Sequence, residues 1–110
     1  MSPAMVRYKV KPDQVEHNEE LVRAVYEELH KTAPSGLRYA TFRLDDGVSF
    51  IHLHADERKD GTTALTELPA FKKFQQGIPD RCEEGPVVTK LSQIGSFGLF
   101  DEQAQAAGGS

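Results

Sequence analysis

A hairpin signal over residues 36–57, GLRYATFRLDDGVSFIHLHADE, constrains this chain more than any other feature. Two runs rich in β-branched and aromatic residues flank Asp46-Gly47, the dipeptide best suited to a two-residue type I′ turn. Such a turn sets Asp45 opposite Val48, Arg43 opposite Phe50, Thr41 opposite His52 and Tyr39 opposite His54. Because side chains alternate along a strand, it also sorts them onto two faces. One face carries Ala40, Phe42, Leu44, Ile51 and Leu53, and reads as the core face. The other carries Tyr39, Thr41, Arg43, Phe50, His52 and His54, a mixture of aromatic, basic and polar groups.

The rest of the chain supplies matching elements. Residues 5–11 alternate Val6, Tyr8 and Val10 with Met5, Arg7, Lys9 and Lys11, a half-buried strand. Pro12-Asp13 ends it, and Asp13 with Glu16 has capping-box spacing for a helix to about Lys31. Leu21, Val22, Val25 and Leu29 form its apolar stripe, and Ala33-Pro34-Ser35-Gly36 stops it. After a polar connection with a turn at Asp60-Gly61, Leu65, Leu68, Phe71, Phe74, Ile78 and Cys82 fall on a second helical stripe. Pro69 suits its first turn, while Gly77 and Pro79 break off a short second turn. Gly85-Pro86 punctuates, and residues 87–100 read as a last strand with a bulge or bend at Gly95 and Gly98.

The order β-α-β-β-α-β predicts an α+β, ferredoxin-like fold: a four-stranded antiparallel sheet with two helices on one face. Residues 1–100 make one domain, and 101–110, DEQAQAAGGS, a disordered tail. The uncovered face, with Tyr39, Val48 and Phe50, is too apolar to stay open, so a homodimer is expected to bury it. A net charge of −4 opposes nucleic-acid binding, and no apolar run reaches bilayer length. The single Cys82 and the lack of a leader-like N-terminus predict a cytoplasmic protein.

The strand at 6–10, the helix at 19–29, the Asp-Gly hairpin and ALTELPAFKKF at 64–74 resemble the dimeric α/β-barrel proteins of the antibiotic-biosynthesis-monooxygenase type. Ala64-Leu65 and Pro69-Ala70-Phe71 carry the likeness, which spans residues 5–100. The resemblance implies a dimeric barrel and a small aromatic or apolar ligand. Some members of that family oxidise quinol-like compounds with oxygen and neither metal nor flavin, others degrade haem, and many have no known activity. The haem-degrading members share an Asn–His–Trp set and the quinol-oxidising ones Trp and Asn. This chain has no Trp and one Asn, Asn18, so no catalytic residue carries over and no cofactor is expected.

Candidate chemistry therefore rests on the residues themselves. His52 and His54 project to one side and, with Asp56, form an H-x-H-x-D run that can offer a metal two imidazoles and a carboxylate. They can equally be lining histidines bonded to Tyr39 and Thr41, or acid–base groups exchanging a proton near neutrality. Arg43 suits an anionic ligand or an ion pair between subunits. Tyr8, Tyr26 and Cys82 fall at core spacings. The expected site is a pocket beside the helix at 65–78 or inside the dimer barrel, with Tyr39, Arg43, His52 and His54 as its polar groups. The function expected is monooxygenase-like, with a non-catalytic binding or structural dimer as the alternative.

Overall fold

The structure, a computed structural model, describes residues 3–58, 60 and 62–98. Strand β1 (Ala4–Val10) leads through a 3-10 turn (Pro12–Gln14) into helix α1 (Val15–Thr32). Strands β2 (Leu37–Arg43) and β3 (Ser49–Asp56) form the hairpin. A 3-10 turn (Ala64–Glu67), helix α2 (Pro69–Gln76), a one-turn helix α3 (Ile78–Arg81) and strand β4 (Cys82–Lys90) complete the chain. The sheet runs β2-β3-β1-β4 with every neighbour antiparallel, the predicted ferredoxin-like layout. The expected tail at 101–110, with Gly61 and Phe100, lies outside the described residues.

The hairpin register is as predicted, Tyr39 opposite His54 and Thr41 opposite His52, but the turn is not type I′. Gly47 alone takes positive φ (80°), whereas type I′ needs it at Asp46 too. Instead Gly47 N donates to Leu44 O, and the strands close at Leu44 N to Ser49 O. Asp46 holds the loop by accepting from the Val48 and Ser49 amides and the Ser49 hydroxyl. The capping box at Asp13 does not form. Pro12 opens a 3-10 turn there, so the helix begins two residues later, after Gln14, without a side-chain cap.

The second helical stripe is broken into three pieces by its prolines. Leu68, ahead of Pro69, is driven to extended geometry (φ −84°, ψ 127°), which ends one turn before α2 begins. Gly85-Pro86 does not interrupt β4. It sits where the β1–β4 register shifts between Arg7 and Lys9, a bulge on an edge strand, where a missing N–H is tolerated. The last strand ends at Lys90 instead of reaching Phe100, so the bend expected at Gly95 and Gly98 falls in irregular chain.

The largest correction concerns the faces of the sheet. The helices cover the mixed face: Tyr8, Val10 and Phe50 pack with Leu21, Val22 and Val25 of α1 and with Leu65, Leu68 and Phe74. Phe50 is 2% exposed, so it is a core residue and not part of an open patch. The face read as core, with Ala40, Phe42, Ile51 and Leu53, carries no helix, and Phe42 is 47% exposed.

Candidate functional site

A cavity of about 370 Å³ opens between the helix-covered face of the sheet and α2. That lies within the range of roughly 300–1,000 Å³ found for small-molecule pockets. Val6 and Val88 supply apolar wall from the sheet, and Phe71, Phe74 and Ile78 from α2 and α3. The polar lining comes mainly from the strands: Tyr8, Tyr39, His52 and His54, with Gln75 on the helix side. Strand alternation explains the grouping. Tyr39, His52 and His54 sit on one face of the hairpin, and the β1–β3 register places Tyr8 opposite Phe50, beside His52.

His52 is buried and held on both ring nitrogens. Nε2 lies 2.8 Å from Tyr8 Oη, and Nδ1 lies 2.5 Å from Tyr39 Oη and 3.3 Å from Thr41 Oγ1. Burial, assisted by repulsion from His54, pulls its pKa down to about 4, so the ring is neutral at pH 7. His54 is half-buried and makes no hydrogen bond among the described residues. Burial lowers its pKa despite the Asp56 carboxylate, which acts the other way. A neutral imidazole with a free nitrogen can take a proton from a ligand. Burial pushes the Tyr39 and Tyr8 phenols well above their ordinary range, so both keep their protons.

Beneath the cavity the network continues to residues the sequence reading passed over. Asn18, fully buried on α1, donates from Nδ2 to Tyr8 Oη at 2.9 Å. Arg81, 3% exposed, donates from Nε to Asn18 Oδ1 at 3.1 Å and from Nη2 to Phe74 O at 2.8 Å. Its guanidinium also lies 5.1 Å from the Phe74 ring centroid. No carboxylate pairs with it among the described residues. Asn18 had a sequence signal, because it falls on the Leu21–Val22–Val25 stripe, where a polar residue must find a buried partner. Arg81 had none, since its burial depends on tertiary contacts with Asn18 of α1 and Phe74 of α2.

Of the four expected site residues, the fold brings Tyr39, His52 and His54 together and leaves Arg43 apart. Arg43 Nη1 donates to Glu19 Oε2 at 2.8 Å on the exposed side of α1. Asp56 is also committed elsewhere: its carboxylate accepts from the Arg58 and Ala64 amides, bracing the loop into α2. With His52 spent on two tyrosines as well, the H-x-H-x-D run is not assembled as a ligand set.

No family model and no curated protein matches this chain. Solved structures do. It is similar to a Nitrosomonas europaea protein described as a "putative antibiotic biosynthesis monooxygenase", at 20% identity and TM-score 0.73, over 86% of this chain and 100% of that one. It also resembles Rv0793 from Mycobacterium tuberculosis, at 16% identity and TM-score 0.70, over 86% and 96% of the two chains. SnoaB from Streptomyces nogalater, described as a cofactor-independent oxygenase, matches at 11% identity and TM-score 0.64, over 87% and 95%. At such identities the likeness is one of fold: the chain has the antibiotic-biosynthesis-monooxygenase architecture.

Proposed function

We propose that this protein binds a small aromatic or otherwise apolar organic molecule in the sheet–helix cavity and acts on it as a cofactor-independent, monooxygenase-like enzyme. One observation carries the reading. An apolar cavity of about 370 Å³ brings together a protonated phenol, Tyr39, and a neutral imidazole, His54, whose ring makes no hydrogen bond among the described residues. The pair suits a hydroxylated aromatic substrate: His54 takes a proton from the hydroxyl, and Tyr39 donates a hydrogen bond to the developing oxyanion. The resulting electron-rich anion gives four electrons to molecular oxygen. One oxygen atom enters a ring carbon to leave a quinone-level product, and the other leaves as water with the two protons released by the ring carbon and hydroxyl groups. His52, with both nitrogens occupied, orients Tyr39. The fold shared with SnoaB supports the reading. Arg43 lies outside this site.

The working form is a homodimer built on the open sheet face, in a reducing, cytoplasmic setting that suits the single free Cys82. Oxygen uptake with 1,4-naphthohydroquinone, measured above its autoxidation rate, tests the activity. Turnover lost in Tyr39→Phe and His54→Gln supports it, and no uptake above background refutes it. The alternative is a non-catalytic binding module, favoured by the full protein satisfaction of His52, which leaves one free acid–base group in the cavity. Thermal stabilisation by the same quinol without oxygen uptake would select it.

A further inference from the structure

We propose that Arg81 and Asn18 are positioning residues that fix the direction of the hydrogen bonds running from Tyr8 through His52 to Tyr39, so that Tyr39 does not spend its hydroxyl proton on His52 and can offer it to an acceptor oxygen on the ligand. One group in the chain of contacts has a role that cannot change. A guanidinium Nε–H only donates, so its partner at 3.1 Å must be the Asn18 carbonyl oxygen. That orientation turns the Asn18 amide nitrogen toward Tyr8 Oη, which accepts at 2.9 Å. The single Tyr8 proton then goes to His52 Nε2 at 2.8 Å. A neutral His52 that accepts on Nε2 carries its proton on Nδ1, and that N–H faces Tyr39 Oη at 2.5 Å and Thr41 Oγ1 at 3.3 Å. Tyr39 accepts there, so its own proton is not spent on His52 and is open to an acceptor oxygen of a ligand, with Thr41 Oγ1 as the competing protein acceptor.

Two further features fit a group whose task is to direct. Arg81 is buried with no carboxylate partner among the described residues, an arrangement stability alone does not favour. Gly77 leaves it room: a Cβ there would stand 2.4 Å from Arg81 Nη1, and Arg81 N donates back to Gly77 O. The ligand class follows from the end of the chain. A hydroxyl that donates from an apolar wall selects a phenolate, enolate or carbonyl oxygen, and this step rests on reading the cavity as a binding site.

Asn18→Asp tests the proposal with almost no change of shape. The carboxylate still accepts from Arg81 and, having no N–H, accepts from Tyr8 as well. Tyr8 Oη must then accept from His52 Nε2–H, and Nδ1 must accept the Tyr39 proton. Nitrogen-15 NMR of the ligand-free protein at pH 8 should show His52 protonated on Nδ1 in the wild type and on Nε2 in Asn18→Asp. Binding of 4-nitrophenolate should weaken on the order of tenfold or more in that variant. Tyr39→Phe should lose similar affinity while His52 stays Nδ1-protonated. Gly77→Ala, which displaces the guanidinium, should give a mixture of tautomers. His52 unprotonated on Nε2 in Asn18→Asp, or protonated there in the wild type, overturns the proposal. If 4-nitrophenolate binds no form but the tautomer switches, the ligand reading fails and the directing role stands.

Discussion

Tyr39, His52 and His54 share one face of a hairpin, yet their surroundings give them different chemistry. His52 is sealed between two phenols, and the His54 ring, with no hydrogen bond among the described residues, lies beside the cavity. The acid response should therefore come from His52. Its folded-state pKa of about 4 lies below the unfolded value near 6.5, so the unfolded chain binds a proton more readily between these values. Stability from this group is complete above pH 6.5 and is lost as pH falls toward 4, by about 3 kcal/mol in total. Urea titrations from pH 7.5 to 4 should show that fall, and His52→Gln should flatten it; an unchanged slope in the variant would refute the assignment. Acid thus opposes folding rather than only dimer formation, because His52 belongs to the protomer core. Period-two alternation was enough to group these three residues from sequence. The direction of their hydrogen bonds was not legible, because it is set by Arg81, 27 positions or more away in the chain and buried only by tertiary closure.

At the scale of elements, the connection from β3 to α2 decides whether the cavity has a wall. Asp56, at the end of β3, accepts from the Ala64 amide at 2.9 Å and from the Arg58 amide at 2.9 Å. Burial raises the cost of its charge, but these bonds and the Arg58 guanidinium outweigh that and hold the carboxyl below its usual range. Asp56→Ala leaves the buried Ala64 N–H unpaired and should cost about 1–3 kcal/mol. Asp56→Asn, which keeps one of the two acceptor oxygens and can still serve Ala64 N–H, should cost less. Denaturant midpoints measure both, and equal losses would show that the bond to Ala64 N–H alone does not hold the connection. Residue Pro69 was readable as a helix start, and the hairpin pairing was readable from Asp46-Gly47. The turn type was not, because the Asp46 carboxylate, by capping Val48 and Ser49, favours a wider loop of the same register. The extent of β4 escaped for a similar reason: Gly85-Pro86 signals a stop in isolation, but an edge strand absorbs it as a bulge.

For the whole molecule, the sheet has two faces and only one is covered by helices. Ala40, Phe42, Ile51 and Leu53 share the open face with Met5 and Val87, a largely apolar surface with Arg7 between Ile51 and Val87. The hairpin alone could not say which face the helices take, since both of its rows are apolar enough to be buried. Strand β1 breaks the tie: Arg7 pairs with Ile51, while Tyr8 pairs with Phe50, so charge marks the face away from the helices. A dimer, as proposed, would therefore have to form on the other side of the sheet from the one expected from sequence. A second copy laid face to face would bury Phe42 and Ile51, and obligate contacts of this kind commonly exceed roughly 2,000 Å². The two faces therefore predict opposite outcomes for one substitution. Phe42→Asp should give a folded monomer, with helix content and the His52 tautomer unchanged, because the added charge blocks only association. Phe50→Asp should fail to fold at any concentration, because it places a carboxylate among Tyr8, Val25 and Phe74. Sedimentation and circular dichroism separate the cases. A wild-type monomer at micromolar concentration removes the dimer, and a folded, monomeric Phe50→Asp would return the interface to the mixed face.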